Sequence, residues 1–545
     1  MSRLPLDDPK TGIHRAKLWE IAFYALNNTS TNLYLVLVGS ISYFLVGIVG
    51  VSAVLAGSLV TIMRVWDGVT DPFIGMLVDN TNTKFGKNRP FIVAGNVILF
   101  LTTWLMFHWI PNMGQGMRFI AYIIIYAIYI IGYTFQCVVT KSAQTCMTND
   151  PAQRPVFTMF DATYNVLAMS VFWSVYLSGT LLPKFTLKST FAADQIASLL
   201  AKNPALERVI TTDADGVQML SGFYNPAMWH QAQITIGIIS AIFAILAIIG
   251  ISRKDNSKYY GTGKTERIRF KDYADVMAHN RGIQMLVLAA SSDKLAMSCT
   301  SNAAVTMSLY GVLFGSFALN GSVNAITGVP VALFGILGIG TIARKMGQKK
   351  ALIVGTWGAL ITSVLIGLVI IFGHGSGAMQ LPTFQLTKIE TWGKLFNASS
   401  WSLLGFAYIL LIIVQKGFSG ISGNIVIPMT ADCADYEVYR SGRYVPGLMG
   451  TLFSFVDKLI SSFASTIVAV IYAMVGFREN LPTEGTPFST GLLVATLICF
   501  LGMPMIGWIL NVVAMKFYPL TKEKMEEIQD EIARIKAESV AKNAQ

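Results

Sequence analysis

The sequence predicts an all-α membrane protein of about twelve transmembrane helices in two six-helix halves. Three observations predict it. Hydrophobic residues make up 53% of the 545 and charged residues only 13%, where a soluble domain carries roughly 25% charged. Apolar stretches, each near the ~20 residues needed to cross a bilayer, follow one another from about Ile21 to Val513 without polar linkers. The basic residues are gathered on one side of those stretches.

The spans fall at about 19–48, 52–79, 91–110, 119–146, 156–182, 231–251, 282–311, 321–343, 351–373, 401–428, 446–475 and 489–513. An even number places both termini on one side. Of the 41 Lys and Arg residues, 28 lie in segments on the side of the termini and 8 on the other, so the termini are expected to be cytoplasmic. The net charge of +11 is thereby spent on membrane orientation, and no nucleic-acid partner is expected. The polar start MSRLPLDDPKTGIHRAK does not read as a cleavable signal. The five cysteines, Cys137, Cys146, Cys299, Cys433 and Cys499, lie in or beside spans or cytoplasmic loops and suggest no disulfide framework.

The organisation expected is an N-terminal half over 1–252, a basic cytoplasmic loop over 253–281, a C-terminal half over 282–515 and a tail helix over 516–545. The tail carries a helical stripe at Met525, Ile528, Ile532 and Ile535. The halves echo each other weakly: Gly75 and Asp79 precede Gly86, Lys87 and Arg89, and Gly340 and Arg344 precede Gly347, Gln348, Lys349 and Lys350. Internal repeats of this kind mark membrane carriers whose halves rock about a central site. Segments 184–230 and 374–400 read as mixed polar loops without an assigned role.

A charge within a span costs roughly 2.5–3.5 kcal/mol at the helix centre and marks a functional position by default. The second span holds Arg64, Asp67, Thr70 and Asp71 at helical spacing, followed by Pro72. Two carboxylates and a hydroxyl one turn apart are hard oxygen ligands suited to Na⁺, and either carboxylate alone can carry H⁺. Arg64 is expected to compensate the acids when no cation is bound, and Pro72 to open the backbone locally. A buried ion pair that only fixes packing is the plainer reading, but packing needs no second acid. Other charges within spans are Lys141, Asp161, Asp293, Lys294, Lys416, Asp457 and Lys458. Adjacent Asp293 and Lys294 point about 100° apart and each needs another partner. Lys416 is read as snorkelling towards the interface.

Enzyme chemistry finds no support. There is no Walker loop, no HExxH and no CxxC, and the five histidines lie at or near loops or span ends. The chain is expected to be neither an enzyme nor an ATP-driven pump, and to need no cofactor beyond a coupling Na⁺ or H⁺.

The run RVWDGVTDPFIGMLVDNTNTKFGKNRP resembles the signature of the glycoside–pentoside–hexuronide cation symporters, a family of the major facilitator superfamily. Phe270-Lys271-Asp272 with Asn280-Arg281, the stretch Asp432 to Tyr436, and Val456-Asp457-Lys458 are similar to further family segments. The resemblance covers nearly the whole chain in order and spacing. It implies a major facilitator fold, cation-site roles for Asp67, Asp71, Thr70 and Thr134, and coupling roles for Lys458 with Arg64 and Asp457. It also implies gating roles for Asp79, Lys87, Arg89, Arg344, Lys349, Asp432 and Asp435. The substrate positions depart from the family pattern. Its first-span aspartate is missing from the run Asn27 to Asn32, Cys137 and Lys141 stand where its fourth span has an aspartate and a tryptophan, and Asp161 and Tyr164 replace an arginine.

The expectation is then cation-coupled symport of a glycoside or related sugar by a monomer in the cell membrane. Asn28, Asn32, Tyr133, Cys137, Lys141, Asp161 and Tyr164 would face the substrate, and Trp66 or Tyr133 would stack on it. Lys141 can meet the acidic group of a uronide or sulfonated sugar. The rivals are a carrier of an amphipathic lipid or drug, which would need a large apolar cavity, and a non-transporting membrane sensor, which would not need an intact cation site.

Overall fold

The computed structural model describes residues 14–81, 83–148, 153–212, 216–256, 259, 270–338, 346–373, 380–382, 393–441, 455–528, 530, 531 and 534. A helix lies at each of the twelve expected span positions. The first span is a pair, α1 (Leu18–Val38) and α2 (Ile41–Val49), bent by 41°. It ends on Gly50 at φ +90°, a left-handed turn that glycine adopts without strain. The chain reverses into α3 (Ala53–Asn80), whose first turn is capped by the Ser52 hydroxyl accepting from the Leu55 amide. Helix α3 is continuous past position 72, so the expected local opening at Pro72 is not found.

Then follow α4 (Arg89–Asn112), α5 (Gln115–Met147) and α6 (Arg154–Met169), the last continuing as helix to Phe185. Segment 184–230, expected as a mixed polar loop, is a folded cap. Its parts are β1 (Leu187–Lys188), α7 (Ser189–Lys202), β2 (Thr211–Thr212) and β3 (Gln218–Leu220). The strands pair antiparallel in the order β1-β3-β2, with Leu187 opposite Leu220 and Thr211 opposite Met219.

The chain returns through α8 (Pro226–Ile251), capped by Asn225 with proline as its first residue, and α9 (Phe270–His279). The seventh span is α10 (Arg281–Thr300) followed by α11 (Ala303–Leu313). A sharp turn of 107° leads into α12 (Ala318–Gly338). The rest are α13 (Gln348–Gly373), α14 (Leu403–Ser441), α15 (Phe455–Met474) and α16 (Thr490–Phe517). Among the described residues nine helices are long and apolar enough to cross a membrane, or eleven if each bent pair is one span. Helix α10 carries Ser291, Ser292, Asp293 and Lys294, which makes it the most polar of the spans.

The buried apolar residues fall into three groups. The largest joins both halves on the side of the cap, from Tyr34 and Tyr43 to Tyr408 and Tyr472. At the other end, where both termini lie, the core is divided. One group there contains only N-terminal residues, from Ala16 to Ile251. The other contains only C-terminal ones, from Val276 to Ile528. The two halves therefore touch on the cap side and part towards the termini. Ile528 is fully buried in the C-terminal group, so the start of the tail helix, at 522–528, packs on that half. Ile532 and Ile535 lie outside the described residues.

Candidate functional site at the apex of the cleft

Helices α3 and α15 run together on the cap side and separate towards the termini. At Gly57 there is no room for a side chain: a Cβ would lie 2.6 Å from the Ser465 carbonyl oxygen and 2.8 Å from the Ala469 Cβ. Next to it the Thr61 hydroxyl donates to the Ser462 carbonyl at 2.8 Å. At Gly68 the nearest contact is the Phe455 ring at 3.6 Å, and at Gly75 a Cβ would meet nothing within 4 Å. Asp67 and Asp71 lie where the helices part.

Lys458 of α15 crosses to both acids there. Its Nζ is 2.5 Å from Asp71 Oδ2 and 3.3 Å from Asp67 Oδ2. Thr134 of α5, fully buried, donates to the other oxygen of Asp67 at 3.2 Å. Thr70 turns its hydroxyl back to the Asp67 carbonyl at 3.0 Å, which leaves its oxygen lone pairs beside the acids. Four oxygen-bearing side chains and one ammonium thus meet at the seam between the halves. Asp67 is 12% exposed and Asp71 33%, so Asp71 is the one in contact with the open cleft. The ammonium occupies the space between the two carboxylates.

The structure does not bring the other expected members in. Arg64 is exposed and, among the described residues, forms no salt bridge with either acid; Lys458 alone compensates them. Asp457, one residue along α15, points away from Lys458 and lies within electrostatic reach of Lys294 on α10. Trp66 is 42% exposed, on a stripe with Ile62, Val69 and Phe73 that recurs at helical spacing. Its indole donates to the Ala127 carbonyl at 3.4 Å. Lipid dissolves such residues as readily as a core does, so Trp66 is on the outer face of α3, away from the acids.

A second polar group joins α1 to α6. Asn28 donates to Asp161 Oδ1 at 2.8 Å, Asn165 donates to the same oxygen at 3.0 Å, and Asn32 donates to Asn165 at 2.8 Å. All four side chains are half-buried. Asn165 was not foreseen. The signal for it was available: Asn28 and Asn32 are four residues apart, and so are Asp161 and Asn165. Tyr164 is outside this chain of bonds and stands against Phe160, with ring centroids 5.8 Å apart. Tyr133 ends a row of tyrosines along α5 after Tyr122, Tyr126 and Tyr129. Cys137 lies one turn further along that helix. The side chain of Lys141 is outside the described residues. Lys416 does not snorkel. It is half-buried on α14, and its Nζ donates to Asn324 of α12 at 3.1 Å.

The expected gate positions divide similarly. Arg89 reaches Asp255 at 3.4 Å, and the backbone amides of Lys87, Asn88 and Arg89 also donate to that carboxylate. Asp255, at the end of α8, was not foreseen. Gly86 makes the approach possible, since a Cβ there would clash with the Asp255 carboxylate and its φ is +97°. Asp255 directly follows the last helix of the N-terminal half, so this contact fastens the loop after α3 to its own half. Lys349 donates to the Tyr518 carbonyl at 2.6 Å. Asp432 is approached by Gln348 and by Asp435. Burial and the neighbouring carboxylate push the Asp432 acid up to about 6. The Asp79 side chain and Arg344 lie outside the described residues.

Comparison with known proteins gives this geometry a lineage. A family model described as MFS/sugar transport protein matches residues 20–522. The chain belongs to that family. Among its relatives, an isoprimeverose transporter of Lactiplantibacillus pentosus is 21% identical over 96% of this chain and 94% of its own. A glucuronide carrier protein homolog of Escherichia coli K12 is 23% identical over 90% of each chain. A sodium-dependent lysophosphatidylcholine symporter of Danio rerio is 24% identical over 70% of this chain and 72% of its own. Among solved structures, the nucleoside transporter NupG matches with a TM-score of 0.55 at 11% identity, over 92% of this chain and 100% of its own. The family and these relatives make the chain a multi-pass membrane transporter, not an enzyme, and the fold likeness agrees with the major facilitator architecture.

Proposed function

We propose that the chain is a secondary active transporter that carries a glycoside or related sugar together with Na⁺ or H⁺ across the cell membrane, with both termini in the cytoplasm. The observation that carries this reading is Lys458, of one half, placed on Asp67 and Asp71, of the other. The halves, 1–252 and 282–515, are joined by 253–281. In the arrangement described, the cleft opens to the cytoplasm and the ammonium fills the cation's place. An arriving cation competes for the carboxylate oxygens and frees Lys458, and with it the strongest electrostatic tie between the halves at the apex. Ion occupancy then alters how readily the halves rock, with no covalent step. Thermodynamic reciprocity requires that substrate raise the affinity for the ion by the same factor.

The substrate positions are Asn28, Asn32, Asp161 and Asn165. Amides and a carboxylate offer donors and acceptors side by side, which suits a polyol whose hydroxyls do both. The names of the isoprimeverose and glucuronide relatives support a sugar. The lysophosphatidylcholine relative raises the amphipathic alternative, but an acyl chain would gain nothing from four adjacent polar side chains.

Uptake into proteoliposomes of a labelled glycoside panel, with a Na⁺ gradient or a pH gradient, tests this. One sugar should accumulate with one ion, and Asp71→Cys should abolish accumulation while leaving downhill exchange. Accumulation by Asp71→Cys with the normal ion dependence would remove the cation from α3.

A further inference from the structure

Asp293 belongs to none of the groups above. It lies in the middle of α10, only 8% exposed, and its Oδ1 has no hydrogen-bond partner among the described residues. The indole of Trp508, from α16, stands beside it as the neighbouring donor. Among the described residues no salt bridge forms on it. Lys294 follows it in sequence and lies within electrostatic reach, but is exposed and turned about 100° away round the helix. Asp457 of α15 carries the same sign of charge. Lys416 of α14 is held by Asn324. Helix α16 brings no charged residue between Met503 and Met515.

The wall that α14 presents to Asp293 is made of glycine. Gly423 is exposed, and a Cβ built on it would meet only Asp293 Oδ2, at 4.0 Å. One turn earlier, a Cβ on Gly420 would meet nothing within 4 Å. By helical spacing Gly423 lies away from Leu403, Phe406 and Leu410, the exposed apolar residues of this helix, whereas Gly420 stands within about 40° of Phe406. Gly423 therefore faces the space between the halves, and it leaves that space open as far as the carboxyl.

We propose that Asp293 is a proton-binding site, a carboxyl held in its acid form inside the C-terminal half and reached from the central space through the gap at Gly423. The contrast with the apex gives the physical reason. At the apex an ammonium lies on Asp67 and Asp71. Asp293 is buried with no cation on it, and an isolated buried carboxylate costs several kcal/mol. The acid form removes that cost and needs only hydrogen bonds. Each acid–base event at Asp293 adds or removes a charge inside the C-terminal half, in the packing of α10, α14 and α16 and within electrostatic reach of Asp457 on α15. The transporter thereby gains a pH dependence separate from the ion held at Asp67 and Asp71.

Infrared spectroscopy of the purified full-length protein reads this directly through the C=O stretch of a carboxylic acid. At neutral pH the wild type should show an acid band that is lost in Asp293→Asn, retained in Asp71→Cys and bleached at alkaline pH. Gly423→Leu, which fills the gap, should slow the shift of that band on exchange into D₂O severalfold. It also serves as the second variant should Asp293→Asn fail to fold. Identical acid bands in the wild type and Asp293→Asn would overturn the proton site, and an unslowed shift in Gly423→Leu would overturn the route. Because no sugar or gradient enters the measurement, its failure leaves the transport reading untouched, and a failed uptake assay leaves this one standing.

Discussion

The two ends of this molecule are built on different principles. On the cap side the halves share one core and are laced by hydrogen bonds to backbone carbonyls. Tyr43 donates to the Pro482 carbonyl at 2.7 Å, Tyr224 donates to the Leu481 carbonyl at 3.3 Å, and the Ala53 amide donates to the Arg478 carbonyl at 3.1 Å. Arg208 of the cap reaches Glu479 at 3.5 Å and donates to the Val46 and Val51 carbonyls. On the side of the termini each half closes on itself. Asp255 gathers the loop after α3, and Glu437 holds Asn280 at 2.9 Å and Arg440 at 2.7 Å. A carrier must exchange which end is joined and which is split. The joined end relies on neutral bonds, each worth about 1 kcal/mol net, which can break one by one. Among the described residues the salt bridges are kept within halves, where they need not break, with two exceptions: Arg208 to Glu479 at the exposed rim, and Lys458 at the apex.

The largest effect is expected from that apex exception. Lys458→Ala leaves two carboxylates facing each other with no counter-charge, a loss of about 3 kcal/mol or roughly a hundredfold in the ion-free arrangement. A cation then meets no competitor. Its affinity should rise while transport driven by its gradient falls to background. Calorimetric titration with Na⁺, or with protons through buffer exchange, reads the first effect, and proteoliposome uptake reads the second. Weaker ion binding in this variant would mean that Lys458 does not occupy the cation's place.

Gly57→Leu attacks the joined end itself. A side chain cannot fit at 2.6 Å from a backbone oxygen, so α3 and α15 must move apart on the cap side. Overpacking of this kind costs about 1–3 kcal/mol, enough to shift a balanced two-state equilibrium five- to a hundredfold. Ser462→Cys, at a position only 3% exposed, should then react with an impermeant thiol reagent from the cap side in the Gly57→Leu background and stay protected without it. Equal protection in both would show that the joined end does not open at α3 and α15.

This difference between ends explains what the sequence disclosed. The spans were legible because lipid demands long apolar helices, and Asp67, Asp71 and Lys458 because intramembrane charge is rare enough to be noticed; that Lys458 meets the two acids came only from the family resemblance. Trp66 misled because aromatic residues suit lipid and sugar equally well; the period of Ile62, Val69 and Phe73 was the better guide. Asp255 lies 167 residues from Asn88, in a loop where an acid is unremarkable, and no local pattern announces it. The cap stayed hidden because its strands are two or three residues long, too short for alternation to be read. Lys416 was misjudged because its amide partner Asn324 comes from another helix and carries no charge to signal the pairing.

The smallest effect should separate the two cores at the split end. Asp432 lies beyond the membrane-spanning part of α14, where burial and Asp435 raise its acid to about 6 from an ordinary 3.8. A carboxyl raised on folding is protonated more readily in the folded chain than in the unfolded one. Its contribution is therefore fully present at pH values below about 4, declines as pH climbs, and is gone above about 6. Discounted for partial exposure, the whole change is about 1 kcal/mol. Between pH 4.5 and 7 the amides at 425–434 should thus exchange hydrogen more quickly than the intrinsic pH dependence accounts for, by a few-fold. Those of the N-terminal group around Ile92 and Val139 should not. Asp432→Asn supplies the uncharged side chain at every pH and should flatten the profile of the C-terminal group alone. A profile that survives this substitution would place the titrating group elsewhere in that half and leave the asymmetry between the two cores without its source.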